Sequence, residues 1–347
     1  MSIKVIILGM GAMGSGMARL LLKKPGISLV SAYEGRVDNR GQDLGQMLGL
    51  DKSLGIKVLN DLDEVLSQEA DLVLQATTSF TKVAGPQIEK AVRTGKNVIS
   101  IAEEMFYPRI SNPVLANRVD QLAKENNATV LGTGINPGFV LDSLVLMLTG
   151  ACQDVTKITA TRINDLSAFG ETVMRTQGVG ATEQEFYDGI EQGTIVGHIG
   201  FSESITLMAE TVGWELDEIT QTREPIISKT HRATPHVNVE PGMVAGCKHV
   251  AFGIKNGEAI ITLNHPQQVH PELEGIETGD YISIEGSPDI NIAIKPEIPG
   301  GISTIAMAVN MIPHVINAGS GLLSMKDLPI PRAILGDVQE IIKKGRE

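Results

Sequence analysis

Apolar residues fill Ile3–Leu8 and predict a buried strand, and from Ala12 to Lys24 apolar and small residues recur at helical spacing until Pro25-Gly26 stops them. A second apolar run, Ile27–Tyr33, closes a strand–helix–strand unit. Further strands are predicted at Ile56–Leu59, Leu72–Ala76, Asn97–Ile101 and Thr129–Gly132, with helices at Asp61–Ser67, Pro86–Thr94 and Pro113–Glu125. The last two helices are placed by a proline in the first turn. Strands alternating with helices argue for α/β architecture with a doubly wound parallel sheet.

The pattern changes at Gly134-Ile135-Asn136-Pro137-Gly138, read as the opening of a helix. Longer and more polar strands follow at Ile158–Asn164, Val244–Ile254, Glu258–Asn264, Tyr281–Glu285 and Ile290–Lys295, and Asn256-Gly257 marks a hairpin turn. A second, α+β domain on a mostly antiparallel sheet is expected. Helices Thr182–Gln192 and Gly197–Val212 interrupt it, the latter with Ile199, Ile205, Met208 and Val212 near one core-facing side. An apolar helix Ile302–Ile316 and an amphipathic one at Ala333–Lys344 end the chain. The expected division is 1–133, a substrate-binding and dimerisation domain at 134–301, and 302–347 returning to the first domain.

Composition narrows the function. With 42% apolar and 20% charged residues among 347, the chain has enough apolar surface to fold as globular domains. Its 29 Lys and Arg against 41 Asp and Glu give a net charge of −12, which disfavours nucleic acid and anionic membranes as partners. Two cysteines, Cys152 and Cys247, suit a reducing, cytoplasmic compartment, and the N-terminal pattern lacks the layout of a signal peptide. The apolar run Phe139–Leu148 is broken by Asp142 and Ser143 and is far shorter than the roughly 20 residues of a membrane span.

The strongest chemical signal is Gly9-Met10-Gly11-Ala12-Met13-Gly14, a G-x-G-x-x-G between a strand and a helix. In a Rossmann domain Gly9 permits the tight turn, Gly11 admits a pyrophosphate, and Gly14 allows close helix-to-strand packing, while Ala12 and Met13 begin the phosphate-facing helix. A P-loop is excluded because no Gly-Lys-Ser/Thr follows. Glu34, ending the second strand, is placed to accept ribose hydroxyls and favours NAD, whereas Arg36 and Arg40 in the same loop would suit the 2′-phosphate of NADP. The strand ends Ala76-Thr77-Thr78 and Ser100 also lie at the carboxyl edge of the sheet, where cofactors bind. Beyond Ser100 stand Glu103 and Glu104, carboxylates suited to proton exchange with an amine or carbinolamine; the competing reading makes them caps of the next segment. The pairs His231/His236 and His265/His270 lack zincin spacing, so no metal is expected. His198 is read as opening an apolar helix, whose N-terminus would favour a neutral ring.

Four segments now carry a resemblance: Gly9–Gly16, SIAEEMFY at Ser100–Tyr107, GTGINPG at Gly132–Gly138 and LLSMKDLPIP at Leu322–Pro331. Together they resemble the 2,4-diaminopentanoate dehydrogenases and related native amine dehydrogenases, nearly end to end. The resemblance implies a dinucleotide domain like that of dihydrodipicolinate reductase, NAD or NADP as cofactor, oxidation of an amine to a ketone and ammonia, and a homodimer. It implies a catalytic glutamate, placed first at Glu103 with Glu104 as partner, and polar pocket residues Asn136, Arg162, Asn164, His198 and His265. Arg162 would clamp a substrate carboxylate through its fork, unless it and Asn164 merely face solvent on their strand. The chain departs from true dihydrodipicolinate reductases in lacking their paired histidines and Pro-Ser-Gly-Thr. Its Tyr33-Glu34-Gly35-Arg36 segment has Glu where many relatives have Asp.

The expected reaction is oxidative deamination of 2,4-diaminopentanoate to 2-amino-4-oxopentanoate, reversible as reductive amination. The alternatives are a dehydrogenase of simpler amines and a nicotinamide-sensing protein without chemistry of its own.

Overall fold

Short apolar runs bounded by Gly, Pro or Asp become strands because each can be covered on both faces by the helices between them. The computed structural model describes residues 2–36 and 41–342. In chain order the first strands are β1 (Ile3–Leu8), β2 (Ile27–Tyr33), β3 (Val58–Leu59), β4 (Leu72–Gln75), β5 (Asn97–Ser100) and β6 (Thr129–Gly132). They alternate with helices α1 (Ala12–Leu21), α2 (Leu44–Met47), α3 (Leu62–Leu66), α4 (Thr81–Arg93), α5 (Pro108–Ser111) and α6 (Pro113–Glu125). There follow α7 (Ser143–Thr149), β7 (Asp154–Asp165), α8 (Glu171–Thr176), α9 (Glu183–Glu191), α10 (Phe201–Val212), β8 (Glu218–Ile227) and the short pair β9 (Arg232–Ala233) and β10 (Asn238–Val239). The chain ends with β11 (Val244–Lys255), β12 (Glu258–Gln268), β13 (Gly279–Ser287), β14 (Ile290–Ile294), α11 (Gly300–Asn310), α12 (Ile312–Asn317) and β15 (Gly321–Leu323).

Two compact units result, one from residues 1–138 with 299–347 and one from 139–298, where sequence reasoning set the boundaries at 134 and 302. The first holds a seven-stranded sheet, β15-β6-β5-β4-β1-β2-β3, parallel throughout. Its order reverses between β1 and β4, the point at which doubly wound sheets bind ligands. Every residue of β4, β5 and β6 is buried. Helix α11 packs on α1, with Ile305 against the bare Cα of Gly16, and Leu322 pairs beside Val130 as β15 extends the sheet.

The second unit holds a six-stranded sheet, β14-β13-β7-β12-β11-β8, antiparallel except between β7 and β12. Along β7, buried Ile158, Ala160, Arg162 and Asn164 alternate with half-exposed Thr159, Thr161 and Ile163. Among the described residues no helix is long and apolar enough to cross a membrane.

Several local expectations need correction. Helix α4 starts at Thr81, with Pro86 inside it, because its first turn is capped from a distant segment rather than by a local proline signal. Residues 134–138 form a turn with a cis Asn136–Pro137 bond, not a helix; a side chain at Gly138 would overlap the Gly134 backbone. Helix α10 starts at Phe201, so Ile199 precedes it, although Ile205 and Met208 are core as expected. The expected helix Ile302–Ile316 is two, α11 and α12. Of the predicted helix Ala333–Lys344 only a 3-10 turn at Val338–Glu340 is present, and residues 343–344 lie outside the described part.

Candidate active site

The Gly-rich turn is shaped by contact. Gly9 adopts φ +92, and an added Cβ there would lie 2.6 Å from the Ala76 carbonyl oxygen, while one at Gly14 would overlap the Gly9 carbonyl. An added Cβ at Gly11 meets nothing within 4 Å, so the backbone is open on the side where a phosphate would approach. Helix α1, with Ala12 and Met13 first, has no side-chain cap and no acidic residue in its first turn. Its positive end is therefore left for an anion.

At the end of β2, Glu34 accepts from the Arg36 backbone N–H (3.1 Å) and guanidinium (2.9 Å). Burial pushes its carboxyl up, but these bonds and one from the Met10 backbone outweigh that and hold it below the ordinary value. A short, ionised acceptor beside the nucleotide loop fits a ribose diol. Arg40 lies outside the described residues. The residues present thus fit a dinucleotide.

The loops after β4 and β5 are tied together by side chains. Thr77 Oγ1 bonds to Gln75 Nε2 and Gln87 Oε1, both at 2.6 Å, and the buried Ser100 hydroxyl donates to Gln75 Oε1 and accepts from Ala102 N–H. Ser100 was expected to touch cofactor through this loop; its hydroxyl is instead engaged internally and orients the two loops. Thr78 Oγ1 accepts from Phe80 N–H. Of the two glutamates, Glu104 places Oε2 2.7 Å from Thr81 N and 2.8 Å from Thr81 Oγ1, capping α4, whose own N-cap residue Phe80 has no such group. Glu104 thus serves as a cap of α4 through Oε2. Glu103 is different: burial raises its pKa, more than a hydrogen bond from Ser79 lowers it, and the Glu104 charge adds to the rise.

In the second unit the inward face of the sheet carries a polar cluster. Arg162, 3% exposed, pairs with Asp280, 1% exposed, at 2.6 Å and also donates to the Ile298 carbonyl. The guanidinium is not solvated as an outward-facing strand position would be, and its two terminal nitrogens are engaged by a buried carboxylate and a backbone carbonyl. His265 donates from Nδ1 to the Arg162 carbonyl at 2.7 Å, which leaves Nε2 as an acceptor. The His198 ring stands 5.2 Å from that of His265 and 4.6 Å from Phe201. Burial, followed by Arg162, holds His265 at about 3, and burial, followed by His265 and His249, holds His198 well below its ordinary value. His198 precedes α10 by three residues, so desolvation, not a helix end, makes it neutral.

Among the described residues, the enclosed polar atoms without a hydrogen-bond partner include Asn164 Oδ1 and His198 Nε2 in the second unit and both amide atoms of Asn136 in the first. Buried polar atoms are normally paired, so these remain available to a ligand. Sequence reasoning did not single out His249, Gln221, Arg223 or Asp280. Their signal is polarity at inward positions of strands, visible only once the register is known.

Among the described residues, Asp165, His270 and Glu272 bring ligand-type atoms within 4.8 Å of one another. Asp165 Oδ1 already accepts from Ser167 and the His270 backbone, and Glu272 is exposed.

Comparison with known proteins matches each part of the chain to a family, and the C-terminal match runs past the second unit into the last stretch of the first. Residues 3–101 match the N-terminal family of dihydrodipicolinate reductase, and residues 139–344 match the 2,4-diaminopentanoate dehydrogenase C-terminal domain. The 2,4-diaminopentanoate dehydrogenase of Acetoanaerobium sticklandii is 47% identical, over 99% of this chain and 98% of its own. An amine dehydrogenase of Streptomyces virginiae is 25% identical over 96% and 98%. The solved amine dehydrogenase of Mycobacterium smegmatis has a TM-score of 0.86 at 27% identity, covering 97% of this chain and 98% of that one. A nucleotide-type loop, an uncapped helix end and a domain match over more than half the length lead to one placement: the chain belongs to the 2,4-diaminopentanoate dehydrogenase family of nicotinamide-dependent enzymes.

Proposed function

We propose that the chain oxidises 2,4-diaminopentanoate with NAD to 2-amino-4-oxopentanoate and ammonia. The observation that carries this is Glu103, a carboxylate whose pKa burial raises toward the working range of a general base while its neighbour Glu104 is engaged as a cap. When bound, the nicotinamide supplies an acceptor for the hydride from C4 of the amine. Glu103 takes a proton from the water that adds to the resulting substrate iminium, returns it to nitrogen, and accepts the carbinolamine hydroxyl proton as the C–N bond breaks, so that the carbonyl forms and ammonia leaves. Gly9, Gly11, Gly14 and the start of α1 hold the pyrophosphate. Glu34 accepts the ribose hydroxyls and repels a 2′-phosphate, which supports NAD over NADP.

Within the second unit, the acceptors His265 Nε2 and Asn164 Oδ1 suit a substrate ammonium. His198 Nε2 completes the polar set. A second reading, a dehydrogenase of simpler amines, is favoured by the closure of the Arg162 fork on Asp280. Reduced-nicotinamide absorbance with 2,4-diaminopentanoate, 2-aminopentane and cyclohexylamine separates the two. Reduction with the diamino acid alone supports the first, reduction with the simple amines alone supports the second, and cofactor binding without any reduction rejects both in favour of a sensor. A cytoplasmic homodimer is the expected setting, checked by sedimentation.

A further inference from the structure

We propose that His249 is a positioning residue that sets the backbone and ring direction of His198; this rests on the reading above that His198 contacts the substrate. Residues Ile195–Gly200 form an extended strap between α9 and α10, with Gly197 at φ +66 and Gly200 at φ +112. The strap is clamped along its length. Val196 N and Gly197 N donate to Thr176 O at 3.1 and 3.3 Å, Gln177 Nε2 donates to Gly197 O at 2.8 Å, and Arg223 Nε donates to Val196 O at 2.8 Å. At His198 itself the backbone N–H donates to His249 Nδ1 at 2.9 Å.

That bond fixes the His249 tautomer. With Nδ1 accepting, the proton sits on Nε2, which donates to Gln221 Oε1 at 2.9 Å. Gln221 in turn donates to Ser202 Oγ in the first turn of α10, so both ends of the imidazole are anchored. The ring is 0% exposed, and both its nitrogens are engaged, so His249 acts through His198 rather than on a ligand. The strap passes close against the ring: a side chain at Gly197 would place Cβ 2.7 Å from His249 Nδ1. The Phe201 ring packs on both, its centroid 4.6 Å from that of His198 and 4.8 Å from that of His249. Burial, followed by the Arg223 charge, keeps His249 at about 3, so the Nδ1 lone pair is available near neutral pH.

The test compares His249→Phe, which keeps a ring and removes both nitrogens, with His249→Asn, whose amide oxygen can take the place of Nδ1. Both are also made in a His198→Ala background, and KM for 2,4-diaminopentanoate and for NAD+ is measured separately. The expected result is a rise of about tenfold in amine KM for His249→Phe, an unchanged NAD+ KM, substantial rescue by His249→Asn, and no further effect of either change once His198 is alanine. Additive effects, no rescue, or equal loss for both substrates overturns the proposal while leaving the role of His198 standing. An unchanged amine KM in His198→Ala alone removes the underlying reading, and the proposal with it. If His249→Phe does not fold, long-range proton–nitrogen NMR of the wild-type imidazoles decides: an Nδ1-protonated His249 overturns the proposal, and an Nε2-protonated one bears it out.

Discussion

Glu103 holds its proton more tightly in the folded chain than in water, and this has consequences for both stability and rate. Between the ordinary value of 4.5 and the raised folded value, the native state binds more protons than the unfolded one, so stability falls as pH rises through that window. The penalty is fully present above it. Glu103→Gln is therefore expected to melt higher than wild type on the alkaline side of that window, to lose the slope seen in calorimetry as pH rises from 4.5, and to turn over about 10²–10⁴-fold more slowly. A parallel slope in the variant would show that Glu103 is not the group being titrated. Glu34→Ser, by contrast, leaves Arg36 without its carboxylate partner and should raise the NADP-to-NAD ratio of kcat/KM about tenfold or more, measured with each cofactor in turn.

The Arg162–Asp280 pair belongs to the same scale. The resemblance suggests a substrate clamp at Arg162, while the pairing of β7 with β13, which the sequence does not display, brings Asp280 opposite it. Arg162→Ala should leave a buried carboxylate uncompensated and cost about 3–5 kcal/mol in denaturant unfolding. Unchanged stability with a raised KM for the diamino acid would return the residue to the role of clamp.

At the scale of elements, strands β1, β2 and β6 and helix α6 are legible at their full length because they are apolar runs or amphipathic stretches with local stop signals. What escapes is non-local. On its inward side strand β8 places Gln221 and Arg223 between Ile219 and Pro225, so the apolar alternation is broken at its middle, and that is the edge where His198 is held. Strand β15 is three residues long, too short for any period. The start of α4 is hidden because its cap, Glu104, is 23 residues away. Glu104→Ala should destabilise the first unit by about 1–2 kcal/mol while leaving NAD affinity near wild type. A loss of turnover without loss of stability would instead place Glu104 in the catalytic pair.

At the scale of the whole molecule, the first unit is assembled from two distant stretches of chain, and β6 is an interior strand only because Gly321–Leu323 lies beside it. Truncation after Ala318 should bare that edge, lower the melting temperature and produce larger species in size-exclusion chromatography, since an uncovered strand edge recruits others. The same layout imposes an order on biosynthesis. The second unit is continuous and can finish folding while the ribosome is still at work, whereas β6 waits for a partner encoded about 190 residues later. At about 5–20 residues per second, the nascent chain exposes that apolar edge for roughly 10–40 s. Its protection during that interval falls to chaperones and to the speed of translation.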